Sequence, residues 1–282
     1  MVARRLTLLL AVAVAGAGAV AGAVAVLGPA TALAGTGAPA YSKEQAGYSV
    51  TGRNFREVEV NVQLPSAGRF AASLGRLTLS VQLWSENLVI DAGVTACTDS
   101  SCQPGGAPRS RLYRPVVTVF SRATRAVLCS TMNSSCPGVP ASFNRERFRP
   151  GHRASMSIFF DNDADYLASM VGSQAYSGYV PPSGIRFTQA RIGAELGATP
   201  WTTITYRTPS REQLLATFGV PVGPPYEAEF ALQDRSAGCV ASPRYAHHQV
   251  LMTRSGSSAT WVRARPGGLS NLGCNFGVYL RR

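Results

Sequence analysis

Apolar and polar residues alternate with a period of two along much of this chain. The cleanest run is 55–64, FREVEVNVQL, with Val58, Val60, Val62 and Leu64 on one side and Glu57, Glu59, Asn61 and Gln63 on the other. Successive side chains of a strand point to opposite faces, so this run predicts a half-buried β-strand. Residues 87–95, NLVIDAGVT, divide in the same way: Leu88, Ile90, Ala92 and Val94 against Val89, Asp91, Gly93 and Thr95. In 226–234, YEAEFALQD, an apolar face of Tyr226, Ala228, Phe230 and Leu232 opposes Glu227, Glu229, Ala231 and Gln233.

Further strands are predicted at 77–83, 153–161, 185–194, 202–206 and 275–280. Hairpins are predicted from 115–120 with 126–129 and from 248–254 with 260–265. One segment reads as helical: Ser210, Arg211, Glu212 and Gln213 as a cap, with Leu214, Leu215 and Phe218 behind it. Gly219 and Pro221 end it. About a dozen short strands, frequent Gly and Pro turns and one short helix predict an all-β fold, a β-sandwich. No internal repeat or low-complexity linker interrupts 46–282, which is read as a single β domain.

Composition changes the picture at the N-terminus. A basic start with Arg4 and Arg5, an Ala/Val/Leu/Gly run to about residue 27, and Ala32-Leu33-Ala34 predict a signal peptide over 1–34, with Ala40 as an alternative cleavage point. An uncleaved membrane anchor is the competing reading of that run. Residues 35–45 are then a flexible leader, and the protein is expected to be secreted, extracellular, monomeric and free of the membrane. Without Arg4 and Arg5, 25 of the 27 basic residues face 15 acidic ones, a net of +10, and Lys43 is the only lysine. Such an excess can draw anionic cell-wall polymers, or simply keep the chain soluble. No basic run or motif speaks for nucleic acid.

Six cysteines in an exported chain point to disulfides. Short loops favour Cys97–Cys102, Cys129–Cys136 and Cys239–Cys274 among the fifteen connectivities that six cysteines permit. Finger spacing for zinc is absent.

The candidate chemistry lies on two strands. Asp91 and Gln233 are expected to meet on the open face of one sheet, with Glu229 on the same face as Gln233. A carboxylate opposite an amide offers a general base and an oxyanion donor. Asp91 with Glu229 offers instead the two carboxylates of a glycosidase. The same residues also suit a solvated polar face. Trp84, Tyr176 and Tyr179 are candidates for an aromatic sugar platform. His247 and His248 are neighbours on a strand, point to opposite faces and cannot share a metal; the run 161–165, DNDAD, lacks the Gly and Glu of a calcium loop and reads as a turn. No G-x-S-x-G elbow is present. No cofactor and no metal are expected.

Three blocks in order resemble the glutamic peptidase (eqolisin) family: 46–66, AGYSVTGRNFREVEVNVQLPS; 89–94, VIDAGV; and 228–234, AEFALQD. The resemblance implies a secreted concanavalin A-like β-sandwich of jelly-roll type. It also implies acid endopeptidase chemistry, in which a Glu activates water and a Gln amide stabilises the oxyanion. The family's Gln position matches Asp91 and its Glu position matches Gln233, so the dyad is exchanged or degenerate. The stretch 80–85, SVQLWS, lacks the Trp and Asp of the family's W-V-G-I-D-G segment, and 116–121, VVTVFS, lacks the acid of its Y-E-W-Y strand. The expected partner is a peptide or polysaccharide substrate in a concave groove; the alternative to a peptidase is an inactive β-sandwich that binds carbohydrate or wall polymer.

Overall fold

The alternation places one polar and one apolar face on each strand, and two sheets bury their apolar faces against each other. In the computed structural model, described residues are 40–42, 45–52, 54–65, 76–97, 112–124, 126–164, 166–197, 213–218, 229–232, 237–243, 246–255, 261–270 and 274–281. The signal segment lies outside them.

The strands run in chain order as β1 (Ala40–Ser42), β2 (Gln45–Thr51), β3 (Phe55–Gln63), β4 (Arg76–Trp84), β5 (Leu88–Cys97), β6 (Arg114–Ser121), β7 (Val127–Ser130), β8 (Arg153–Asp161) and β9 (Tyr166–Val171). They continue as β10 (Gln174–Tyr176), β11 (Gln189–Gly197), β12 (Gln213–Phe218), β13 (Glu229–Leu232), β14 (Ala237–Cys239), β15 (Ala246–Ser255), β16 (Trp261–Pro266) and β17 (Phe276–Arg281). A five-residue helix, α1 (Ala141–Arg145), follows β7. No helix among the described residues is long and apolar enough to cross a membrane.

Neighbouring pairs give a first layer in the order β7, β6, β5, β4, β11, β2, β15, with β1 parallel to β15 on its far side. The second layer runs β10, β9, β8, β3, and the other edge of β3 is shared by β12 and β13. Strands β12, β17 and β16 then lead back to β15, so one sheet rolls over to close the sandwich. Across the interior β3 and β8 face β4, and β8 and β9 face β5, while β16 lies next to β2 along the same edge of β15. The core is the set that the alternation selects: Val58, Val60 and Val62 from β3, Leu79, Val81 and Leu83 from β4, Ile90, Ala92 and Val94 from β5, Ile158 and Phe160 from β8. Phe160 meets Phe187 edge-on at 5.1 Å, a favoured aromatic geometry.

Three expectations change. Residues 213–218 are strand β12, not helix: their backbone pairs with β17 and the C-terminal end of β3, and tertiary pairing outweighs leucine propensity in a six-residue run. The short helix forms at 141–145 instead. The stretch read as a flexible leader contributes β1, paired with β15 at Ala40↔Val250.

Cys129–Cys136 and Cys239–Cys274 are bonded as expected, while Cys102 lies outside the described residues. The first closes a separation of 7 residues and the second one of 35. Loop-closure entropy grows slowly with length, so Cys239→Ser with Cys274→Ser is expected to cost about 3–4 kcal/mol, against roughly 2–2.5 for Cys129→Ser with Cys136→Ser. Urea titration of both pairs checks the order; a reversed ranking removes the entropic account.

Candidate active site

Register fixes which side chains share the outer face of the first layer. One transverse row reads Ser130, Thr118, Asp91, Gln82, Arg191, Ser49, His248 from β7 to β15. The row beside it is built of small residues, Gly93, Ser80, Gly193 and Gly47. The next carries Thr95, Thr78, Glu195 and Gln45. Trp84 and Gln189 lie on the opposite side of the Gln82 row. The polar residues here are deeply placed: Ser80 is fully buried, and Gln82 and Asp91 are 2% and 5% exposed. Trp84, Gln189, Arg191, Glu195 and His248 form the half-buried rim.

The small row is a matter of close approach. A Cβ on Gly193 would stand 2.4 Å from the Ala46 carbonyl oxygen, and one on Gly47 would stand 2.1 Å from that of Ile192. Both contacts are with backbone that cannot move aside. The bare floor lets long side chains from the flanking rows reach across it.

Two of them meet. The Gln82 Nε2 donates to Glu195 Oε1 at 2.6 Å, a short hydrogen bond. The Trp84 indole N–H donates to Gln82 Oε1 at 2.9 Å, which fixes the amide with its NH2 end toward Glu195. Arg191 lies over the Trp84 ring, its Cζ 3.9 Å from the centroid, and Arg122 approaches the same ring at 5.9 Å. Arg191 donates to Gln45 Oε1 at 3.4 Å, and its Nε is buried without a hydrogen-bond partner among the described residues. Burial, then repulsion from Arg122, pushes Arg191 down to about 10, against an opposing pull from Glu195.

The solved structures similar in fold include two peptidases. The crystal structure of Scytalido-glutamic peptidase with a peptide-based transition state analog matches with a TM-score of 0.43 and 12% identity, over 84% of this chain and 98% of that one. The structure of SCP-B, a member of the eqolisin family of peptidases in complex with the tripeptide Ala-Ile-His, matches with a TM-score of 0.46 and 12% identity, over 84% and 98%. At these values no chemistry passes from either protein to this chain. No protein-family model matches the sequence, and no curated protein sequence does.

The residues singled out from sequence divide unevenly. Asp91 sits on the polar face, directly across from Gln82 on β4 and Thr118 on β6. Glu229 begins β13, whose backbone pairs with β3 at Glu59 and with β14 at Cys239, not with any strand of the first layer. Gln233 lies outside the described residues, so the Asp91–Gln233 meeting is not among the observed contacts. Tyr176 is buried with its hydroxyl donating to the Pro137 carbonyl, so it is a core residue and no part of a sugar platform. The turn at 161–164 is closed by Asp163 N–H donating to Asp161 Oδ1 at 3.0 Å.

Gln82 and Glu195 were missed. A signal for both was present: TLSVQLW and QARIGAEL alternate as cleanly as β5, with Thr78, Ser80, Gln82 and Trp84 on one polar face and Gln189, Arg191 and Glu195 on another. Nothing local shows that strands 113 residues apart are neighbours.

His247 and His248 do point to opposite faces. His248 pairs with Ser49 on the polar face, whereas His247 is buried near the Tyr48 ring, with centroids 6.5 Å apart. Burial lowers the pKa of both below 6.5, and Arg191 and then His247 lower His248 further. The folded state therefore holds them neutral, and the unfolded chain binds more protons once pH falls through about 6.5. Stability contributed by the neutral rings is present above that value and is lost below it. Melting temperature is expected to fall from pH 7 to pH 5, and less so in His247→Gln. An equal fall in both proteins assigns the loss to other groups.

Proposed function

We propose that this protein is an exported hydrolase of peptide bonds, with Glu195 as general base and the Gln82 amide as oxyanion donor. The observation that carries this reading is the 2.6 Å contact between Gln82 Nε2 and Glu195 Oε1 across a floor of small residues. It supplies the carboxylate and amide that the family resemblance implies, from strands other than those the sequence suggested. Two cystines fit an oxidising, extracellular setting.

The chemistry runs as follows. A water displacing the Gln82–Glu195 bond gives its proton to Glu195 as its oxygen attacks the peptide carbonyl. The Gln82 N–H donates to the oxyanion that forms. Collapse of the tetrahedral species breaks the C–N bond, and Glu195 returns the proton to the leaving amine. Glu195 suits the base role better than Asp91 because a base must reach both water and substrate. Glu195 is half-buried on the rim, whereas Asp91 is 5% exposed.

The test is cleavage of denatured protein between pH 2 and 5, read by mass spectrometry, by the wild-type protein, Glu195→Gln and Asp91→Asn. Cleavage lost in Glu195→Gln and retained in Asp91→Asn supports the assignment. Cleavage lost only in Asp91→Asn moves the base to Asp91; no cleavage by the wild-type protein removes the enzyme.

A further inference from the structure

A positive charge sits beside the Gln82–Glu195 pair, pulled on by Glu195 yet hydrogen-bonded, among the described residues, to a neutral amide rather than to a carboxylate. Arg191 directly faces Gln82 across the β4–β11 pair, is stacked on Trp84 and, among the described residues, holds one hydrogen bond, at 3.4 Å, to a neutral amide oxygen. Its Nε is buried and unpartnered among the described residues. Arg122, from the turn after β6, comes to the same ring at 5.9 Å and is anchored through NH1 to the Ser85 carbonyl at 2.8 Å. His248 on β15 occupies the same row, and an imidazole, neutral or cationic, compensates no positive charge.

Two guanidinium groups brought together on one ring repel each other, and taking Arg191 out of water costs more still. Nothing in the packing requires this: an apolar side chain would stack on Trp84 without the desolvation cost. A planar fork with free donors, held by an aromatic ring next to a reactive pair, is the arrangement that receives a carboxylate in two parallel hydrogen bonds.

We infer that Arg191, with Arg122 behind it, forms a subsite for a peptide carboxylate next to the Gln82–Glu195 pair. The inference rests on the peptide-hydrolase reading and deepens it by naming a substrate class: peptides that present an acidic side chain or a free C-terminal carboxylate one subsite from the bond at Gln82. Arg191 acts on the substrate and not on the proton transfer.

Isothermal titration of the purified protein with four probes tests it. They are an N-acetylated alanine hexapeptide amide, the same peptide as the free acid, the amide with one internal Glu, and tri-galacturonate. A carboxylate peptide is expected to bind about tenfold or more tightly than the neutral one, the scale of a charged hydrogen bond. Whichever of the two carboxylate peptides shows the gain identifies the source. Arg191→Gln is expected to bring every peptide to the neutral value, Arg122→Gln to remove part of the gain, and exposed Arg149→Gln to leave it unchanged.

Arg122→Gln removes an exposed charge, so it reports even where Arg191→Gln does not fold. Equal binding of neutral and acidic peptides, binding of none, or an Arg191-dependent gain confined to tri-galacturonate overturns the inference. Titrations repeated in Glu195→Gln separate the two ideas. Carboxylate discrimination there, without hydrolysis in any protein, sinks the hydrolase alone; hydrolysis without discrimination sinks the subsite alone.

Discussion

Glu195→Gln is expected to lower the rate of peptide hydrolysis by about 10²- to 10⁴-fold, the span covered by loss of a positioned general base. Gln82→Met, which keeps length and removes the donor, is expected to cost about 10²- to 10³-fold, as for loss of an oxyanion donor. The two groups serve one transition state and touch in the resting site at 2.6 Å. Their losses should therefore not multiply: the double variant is expected to sit near the weaker single variant. Trp84→Phe keeps the ring that stacks on Arg191 but removes the N–H that holds Gln82 Oε1 at 2.9 Å. Its loss should be smaller and fall on kcat more than on KM, because the amide is free to turn while the stacked arginine remains. Gln82→Met leaves a half-buried indole N–H without its acceptor, a cost of about 1–3 kcal/mol, so melting is measured beside activity. Activity in Glu195→Gln at the wild-type level, with both proteins folded, removes Glu195 from the reaction.

The polar face is a product of register that short-range patterns cannot announce. Asp91 and its alternating strand were legible because the run NLVIDAGVT separates core from polar positions by itself. So were β3 and the 246–266 hairpin, whose local turns and alternation need no distant partner. The neighbour of β4 was not legible. Strand β11 lies beside it only because β2 and β4 both leave an edge that β11 fills. That insertion brings Glu195 and Arg191 to Gln82, and no residue within either strand encodes it. Strand β13 fails in the complementary way: a strand does form at Glu229–Leu232, but its partner is β3 of the other layer. Leu214, Leu215 and Phe218 follow a cap-like Ser-Arg-Glu-Gln run, yet β17 and β3 both present backbone edges there, and satisfying those edges decides the conformation.

The closure of the sandwich beneath the site depends on three rings. Phe276 on β17 stacks on Phe218 of β12 with centroids 5.0 Å apart and 15° between planes. It meets Tyr48 of β2 edge-on at 4.8 Å. Phe276 is 2% exposed, and Phe218 is fully buried. The contact with Tyr48 crosses from the second layer to the first, and Tyr48 is flanked in sequence by Gly47 and Ser49, both on the floor of the polar face. Tyr48 is held on its far end too, its hydroxyl donating to the Gly267 carbonyl at 2.8 Å. Phe276→Ala is expected to cost about 3–5 kcal/mol, the lost transfer of a ring plus the cavity it leaves. Phe276→Leu, closer in volume, should cost less, and it tests the site more sharply because the protein remains folded. A loosened Tyr48 lets β2 shift against β11, and Gly47 approaches Gly193 too closely to absorb a shift unnoticed. Phe276→Leu is therefore expected to lower hydrolysis although residue 276 touches none of the reacting groups. Urea titration gives the stability of both variants, with an unchanged m-value showing that the unfolded reference is the same. A Phe276→Ala cost below about 1 kcal/mol would mean that the rings do not close the sandwich, because surface substitutions alone reach only about half that.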